Sequence, residues 1–127
     1  MIKLALSLSL LITLPFFQQQ EVTRIDNQQL IKLLEDPEVQ LVDVRTPREV
    51  NLGMIKGAIH INYFDEDFEA RIEKLDKRKP IVVYCAAGGR SAKAGNRLTG
   101  WGFTKIYDLK EGFGGWKAED QPIVYPQ

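Results

Sequence analysis

Ile81-Val82-Val83-Tyr84-Cys85-Ala86-Ala87-Gly88-Gly89-Arg90-Ser91: four apolar residues run without a break into a cysteine, two alanines, two glycines, an arginine and a serine. A continuous β-branched and aromatic run is the mark of a strand covered on both faces, as in the middle of a parallel sheet. The small residues after it do not extend the strand, and Ser91 to Trp101 reads as the helix that the loop opens. Cys85 thus stands at the carboxyl end of the most apolar strand, where open parallel sheets carry their functional groups.

The rest of the chain alternates in the same way. Val22 to Ile25 predicts a brief strand, with Asp26 or Asn27 capping a helix whose apolar stripe is Leu30, Ile31, Leu33 and Leu34. Asp36-Pro37 stops that helix. Gln40 to Val44 is a second strand, a helical turn follows near Pro47 to Val50, and Gly53 and Gly57 lead to a third strand over Ala58 to Ile61. Phe64, Phe68, Ile72 and Leu75 mark another helix. Downstream, Lys105 to Leu109 is the last strand and Glu111 to Ala118 a closing helix, although Gly112, Gly114 and Gly115 disfavour it. The pattern predicts an α/β domain in three layers, a central and mostly parallel five-stranded sheet with helices on both faces.

The loop itself has chemistry. Small residues and two glycines let successive backbone N–H groups turn inward and form an anion-binding nest. The helix that follows adds its N-terminal amides and dipole, and Arg90 adds a cation with planar donors suited to oxyanions. Taken singly, Gly88-Gly89 is a tight turn and Arg90 a surface ion pair; their order after a buried strand makes them a cradle. A cysteine held there should ionise more easily than a free thiol and act as a nucleophile.

The segment resembles the active-site loop of the rhodanese (sulfurtransferase) family, in which a cysteine begins the loop. The resemblance extends through Asp43-Val44-Arg45 with Glu49, similar to that family's D-V-R-x-x-x-E signature, and through Gly53-Met54-Ile55-Lys56-Gly57-Ala58-Ile59. It continues in Tyr107-Asp108-Leu109 leading to Gly114-Gly115-Trp116, so that the matching motifs run in family order from about Val22 to Pro122. It implies the three-layer rhodanese fold, with Cys85 as the sulfur-accepting nucleophile. Ala86, Ala87, Gly88, Gly89, Arg90 and Ser91 would form the substrate-binding pocket, Arg90 facing the anionic donor. Asp43, Arg45 and Glu49 are expected to be scaffold, an ion pair or capping network beside the pocket. Two departures stand out: Met54 where the family often has histidine, and His60-Ile61-Asn62 where it often has Asn-Ile-Pro. His60 is read as a hydrogen-bonded structural residue near the pocket. Ala86 and Ala87 leave the loop without side chains for recognising one particular substrate, and Lys93 could add positive potential at its mouth.

The implied reaction moves sulfane sulfur from thiosulfate or a similar small anionic donor to a thiophilic acceptor through a Cys85 persulfide. The acceptor is cyanide, a thiol or a protein cysteine. It must be external, because the chain has one cysteine. No metal or organic cofactor is expected, since one cysteine and one histidine do not make a closed site. The cysteine phosphatases and arsenate reductases have longer loops that admit a tetrahedral oxyanion. Here four residues separate Cys85 from Arg90, too few for phosphate. The remaining alternative is a non-catalytic sulfur carrier or interaction module that keeps the fold.

Residues 1–20 are read as a signal peptide, and residues 21–127 as the domain. Lys3 gives a positive start, Leu4 to Leu14 an apolar run, and Pro15 its end. The run is short for a spanning helix and suits the apolar core of an export signal. Cleavage is expected near Gln18 to Gln20, although no A-x-A-like site is present, and an uncleaved anchor and a structural helix are the other readings of the segment. The domain would then be exported, periplasmic or secreted, with no stable membrane association after cleavage. Seventeen basic and seventeen acidic residues cancel, and the densest basic stretch, Lys74 to Lys79, is interrupted by Asp76. No nucleic-acid partner is expected from such a distribution.

Overall fold

A computed structural model describes residues 2–5, 8–15 and 20–127. Seven strands and five helices alternate along it: β1 (Val22–Ile25), α1 (Asn27–Leu33), β2 (Gln40–Asp43), α2 (Pro47–Val50), β3 (Met54–Ile55), β4 (Ile59–His60), α3 (Phe68–Ile72), β5 (Ile81–Tyr84), α4 (Gly89–Gly100), β6 (Ile106–Leu109), α5 (Gly112–Ala118) and β7 (Ile123–Val124).

Five strands form one sheet in the order β1-β6-β5-β2-β4, and every pairing in it is parallel. β5 lies at its centre, and all four of its residues are buried, as expected of a strand covered on both sides. Alternate residues of β5 serve opposite cores. Ile81, Val83 and Cys85 pack with Phe68, Ile72, Ala94 and Leu98 from α3 and α4. Val82 and Tyr84 pack with Leu30, Phe113 and Trp116 from α1 and α5. Parallel strands need crossovers, and the helices of those crossovers cover the two faces.

Two local outcomes differ from the sequence reading. The helix expected from Phe64 begins only at Phe68, because Asn62 makes a side-chain turn instead: its Oδ1 accepts from the Phe64 amide and its Nδ2 donates to Asp65. Phe64 is left 66% exposed. β3 and β7 pair antiparallel as a separate two-stranded sheet; each is two residues long, too short to leave a periodic trace. The closing helix forms in spite of its glycines, which it needs for close packing, as shown below.

The described part of the N-terminal segment carries no helix or strand, and Leu4, Leu8, Leu11 and Leu14 are exposed. Among the described residues no helix is long and apolar enough to cross a membrane. Of the expected cleavage region, Gln18 and Gln19 lie outside the described residues.

Candidate active site

The carboxyl ends of β2, β4, β5 and β6 carry Val44 to Thr46, Ile61 to Phe64, Cys85 to Gly88 and Lys110 to Glu111. The cradle is built around Cys85, which is 1% exposed. Its Sγ accepts a hydrogen bond from the Gly88 amide at 3.1 Å, and Ser91 Oγ lies 3.5 Å away. Gly88 is the N-cap of α4 with φ 101°. A Cβ at that position would stand 2.6 Å from the Lys110 carbonyl oxygen, so only glycine brings this amide onto the sulfur.

The loop is held from behind by the first turn of α5. The Phe113 amide donates to the Cys85 carbonyl at 2.8 Å, and the Gly114 amide donates to the Ala86 carbonyl at 2.9 Å. Across a trans peptide the C=O and the next N–H point in opposite directions. Drawing these carbonyls outward therefore turns the N–H groups of Ala86 and Ala87 inward. Gly112, with φ 60°, makes that approach possible, since a Cβ there would sit 2.6 Å from both the Cys85 and Ala86 carbonyl oxygens. Gly112→Ala should cost of order 3 kcal/mol from the left-handed backbone and the clash together. It should also slow alkylation of Cys85, because the loop must shift to make room. Denaturant unfolding and iodoacetamide kinetics report the two effects, and a variant with wild-type values in both would contradict this account of the loop.

Electrostatically, the cradle wins against burial. Desolvation pushes the Cys85 thiol up, but the Ser91 hydroxyl and the amides of Ser91, Ala87 and Gly88 outweigh it and hold the pKa below the ordinary thiol value of 9.0. In the thiol form S–H donates to Ser91 Oγ, and the Ser91 hydroxyl donates to the Gly88 carbonyl at 3.4 Å. In the thiolate form the hydroxyl can turn to the sulfur. Reactivity should therefore rise with pH through a midpoint below 9.0. Ser91→Ala should move that midpoint up and slow alkylation near pH 7 by about tenfold, the worth of one hydrogen bond to a charged group. An unmoved profile would remove Ser91 from the cradle.

The acidic and basic residues of the D-V-R-x-x-x-E stretch divide into two devices. Asp43 and Arg45 are a buried ion pair, Nη2 to Oδ2 at 2.7 Å, with side chains 0% and 3% exposed. Arg45 Nη2 also donates to the Gly53 carbonyl at 2.7 Å, and its guanidinium lies over the Phe113 ring at 4.1 Å. It thereby ties β2 to α5 behind the cradle. Glu49 caps α2, accepting from the amide and hydroxyl of Thr46, and its carboxylate takes both ends of Arg90, at 2.6 and 2.8 Å. Arg90 holds Glu49 down to about 2, well below its ordinary 4.5.

Of the residues expected in the pocket, Ala87, Gly88 and Ser91 are brought to the Cys85 sulfur. Ala86 contributes its carbonyl to α5. Gly89 opens α4, and Arg90 is clasped by Glu49 instead of standing free beside the sulfur. Sequence reasoning missed this clasp, as well as the part played by Gly112. His60 Nε2 lies 2.7 Å from the Arg45 carbonyl and donates to it, so it braces the β2 loop. Lys93 is exposed on the second turn of α4.

Comparisons with known proteins point to one family. The family model described as "Rhodanese-like domain" matches residues 26–119. The chain is 34% identical over 106 residues to a thiosulfate sulfurtransferase GlpE from Tolumonas auensis, covering 84% of this chain and 93% of that protein. It is 35% identical over 107 residues to a sulfurtransferase from Allochromatium vinosum, covering 84% and 98%. Among solved structures it is similar to the polysulfide-sulfur transferase homodimer from Wolinella succinogenes, with a TM-score of 0.70 and 32% identity over 84% of this chain and 80% of that one.

Proposed function

The chain belongs to the rhodanese-like domain family, and from that premise we propose that it is a sulfurtransferase which carries sulfane sulfur on Cys85 as a persulfide. The observation that carries this reading is the set of donors converging on a buried sulfur with a lowered pKa. The same donors that favour a thiolate favour the terminal anion of a persulfide. In the first half-reaction the Cys85 thiolate attacks the outer sulfur of thiosulfate or a related donor. A new S–S bond forms with the thiolate's electron pair, the donor's own S–S bond breaks, and sulfite leaves with that pair. In the second, a thiol or cyanide attacks the terminal sulfur and restores the thiolate. The names of the relatives support donors of the thiosulfate or polysulfide kind. A protein thiol that serves as the cellular acceptor must reach Cys85 on an extended segment, because the sulfur is buried.

Residues 1–20 are proposed to direct export to the periplasm or beyond and then to be removed. Two features support this: the apolar run after Lys3 and the absence of packing between its described leucines and the domain. N-terminal sequencing of the protein from an exporting host should find a start near Gln18 to Gln20; a full-length chain in the membrane fraction would replace this with the anchor reading.

The central test is intact mass. The protein incubated with thiosulfate should gain one sulfur atom, and cyanide should remove it with formation of thiocyanate. No adduct with thiosulfate, mercaptopyruvate or polysulfide would leave the fold as a binding module.

A further inference from the structure

The cation nearest the cradle is not available to a donor as it stands. Arg90 lies in the first turn of α4, close enough to Cys85 for its charge to be felt by the thiolate. Both of its terminal nitrogens are bound to Glu49. Glu49 is itself fixed by the Thr46 amide and hydroxyl at 3.2 and 3.0 Å, so the carboxylate cannot swing aside without breaking the cap of α2. Arg90 is placed further by the exposed Phe64 ring, 5.9 Å from its guanidinium. An arriving anion therefore meets a neutral, preassembled clasp. The anion-binding power that remains free is the backbone nest, which holds one sulfur.

We propose that Glu49 is a positioning residue that sets donor specificity: by occupying Arg90 it makes the site favour donors of low charge over dianions such as thiosulfate. The inference rests on the sulfur-transfer reading and narrows it. The far end of a good donor should carry little charge, as in an alkyl persulfide or an alkyl thiosulfonate. Thiosulfate carries a second charge on its sulfonate end, which finds no free cation and grows to that of a sulfite dianion as the S–S bond breaks. The clasp holds across neutral and mildly acidic pH, since Glu49 protonates only near 2.

Glu49→Gln tests this, because the glutamine Oε1 can keep the Thr46 bonds of the capping box, while the charge is removed and an NH2 group replaces the oxygen that accepts from Arg90 Nη2, so the clasp is both neutralised and loosened. Two readouts are needed. The first is the rate ratio of Cys85 alkylation by iodoacetate, an anion, and iodoacetamide, its neutral analogue, which does not depend on sulfur transfer. Glu49→Gln should raise that ratio about tenfold, the effect of one unit charge in a partly hydrated site. The second is the KM for thiosulfate against that for ethanethiosulfonate, which carries one charge fewer. The variant should lower the thiosulfate KM by a similar factor, with kcat and the ethanethiosulfonate KM changed much less. A ratio that moves less than twofold overturns the proposal, even if sulfur transfer is robust. A ratio that moves as expected in a protein that transfers no sulfur from either donor would instead sink the enzymatic reading. If Glu49→Gln does not fold, Arg90→Gln supplies the opposite arm. It leaves the Glu49 carboxylate unpaired and should depress the iodoacetate ratio; an unchanged ratio there is equally fatal.

Discussion

Cys85→Ser is expected to fold and to carry no sulfur. Serine is close in size to cysteine, and the same amide of Gly88 and hydroxyl of Ser91 can satisfy its oxygen. What it lacks is an accessible anion: the cradle that pulls a thiol below 9.0 cannot bring an alcohol into the working range of pH. With no second cysteine in the chain to take over, thiocyanate formation should fall about a thousandfold or more, to the solution background. The mass after thiosulfate treatment should equal the mass before it. Turnover in the variant above a few per cent of wild type would place the sulfur elsewhere and remove the role assigned to Cys85.

Arg45→Leu should be the most destabilising single change in the domain. It leaves the Asp43 carboxylate, fully buried and bound to Arg45 through Nε and Nη2, with its countercharge gone, and strips the Gly53 carbonyl of its donor. Breaking one side of a buried pair costs about 3–5 kcal/mol, a large share of the 5–15 kcal/mol or so that holds a typical domain together. The denaturant midpoint should fall steeply at unchanged slope. Asp43→Leu combined with Arg45→Leu should recover much of the loss, because no unpaired charge remains. A loss below about 1 kcal/mol in the single variant would mean that the pair is not desolvated as its burial implies.

Much of this is legible in the sequence. Ile81-Val82-Val83-Tyr84 identified the central strand because only a strand buried on both faces can be apolar throughout. Gly88 and Ser91 could be assigned to the cradle because they follow that strand within reach of its last residue. The Glu49–Arg90 clasp was not legible: the two residues are far apart in sequence, and each has an ordinary local role, one as a helix cap and the other in the first turn of a helix. In the sequence Gly112 reads as a weakness of its helix, since propensity counts what glycine costs in isolation and not the two carbonyls it admits. Phe64 fitted helical spacing with Phe68, but the Asn62 turn decided the local backbone.

The strand order has a temporal meaning as well. β1 pairs within the sheet only with β6, which is made after every other strand of that sheet. β6 must also slot between β1 and β5, both made earlier. A nascent chain emerging residue by residue therefore has no partner for its first strand until Ile106 to Leu109 appear, and α5, which turns the loop amides inward, comes later still. Such long-range closure is slow compared with local helix formation. The growing polypeptide therefore stays open until its sheet can close, as the export proposed above requires, and its cysteine remains an ordinary thiol until α5 docks.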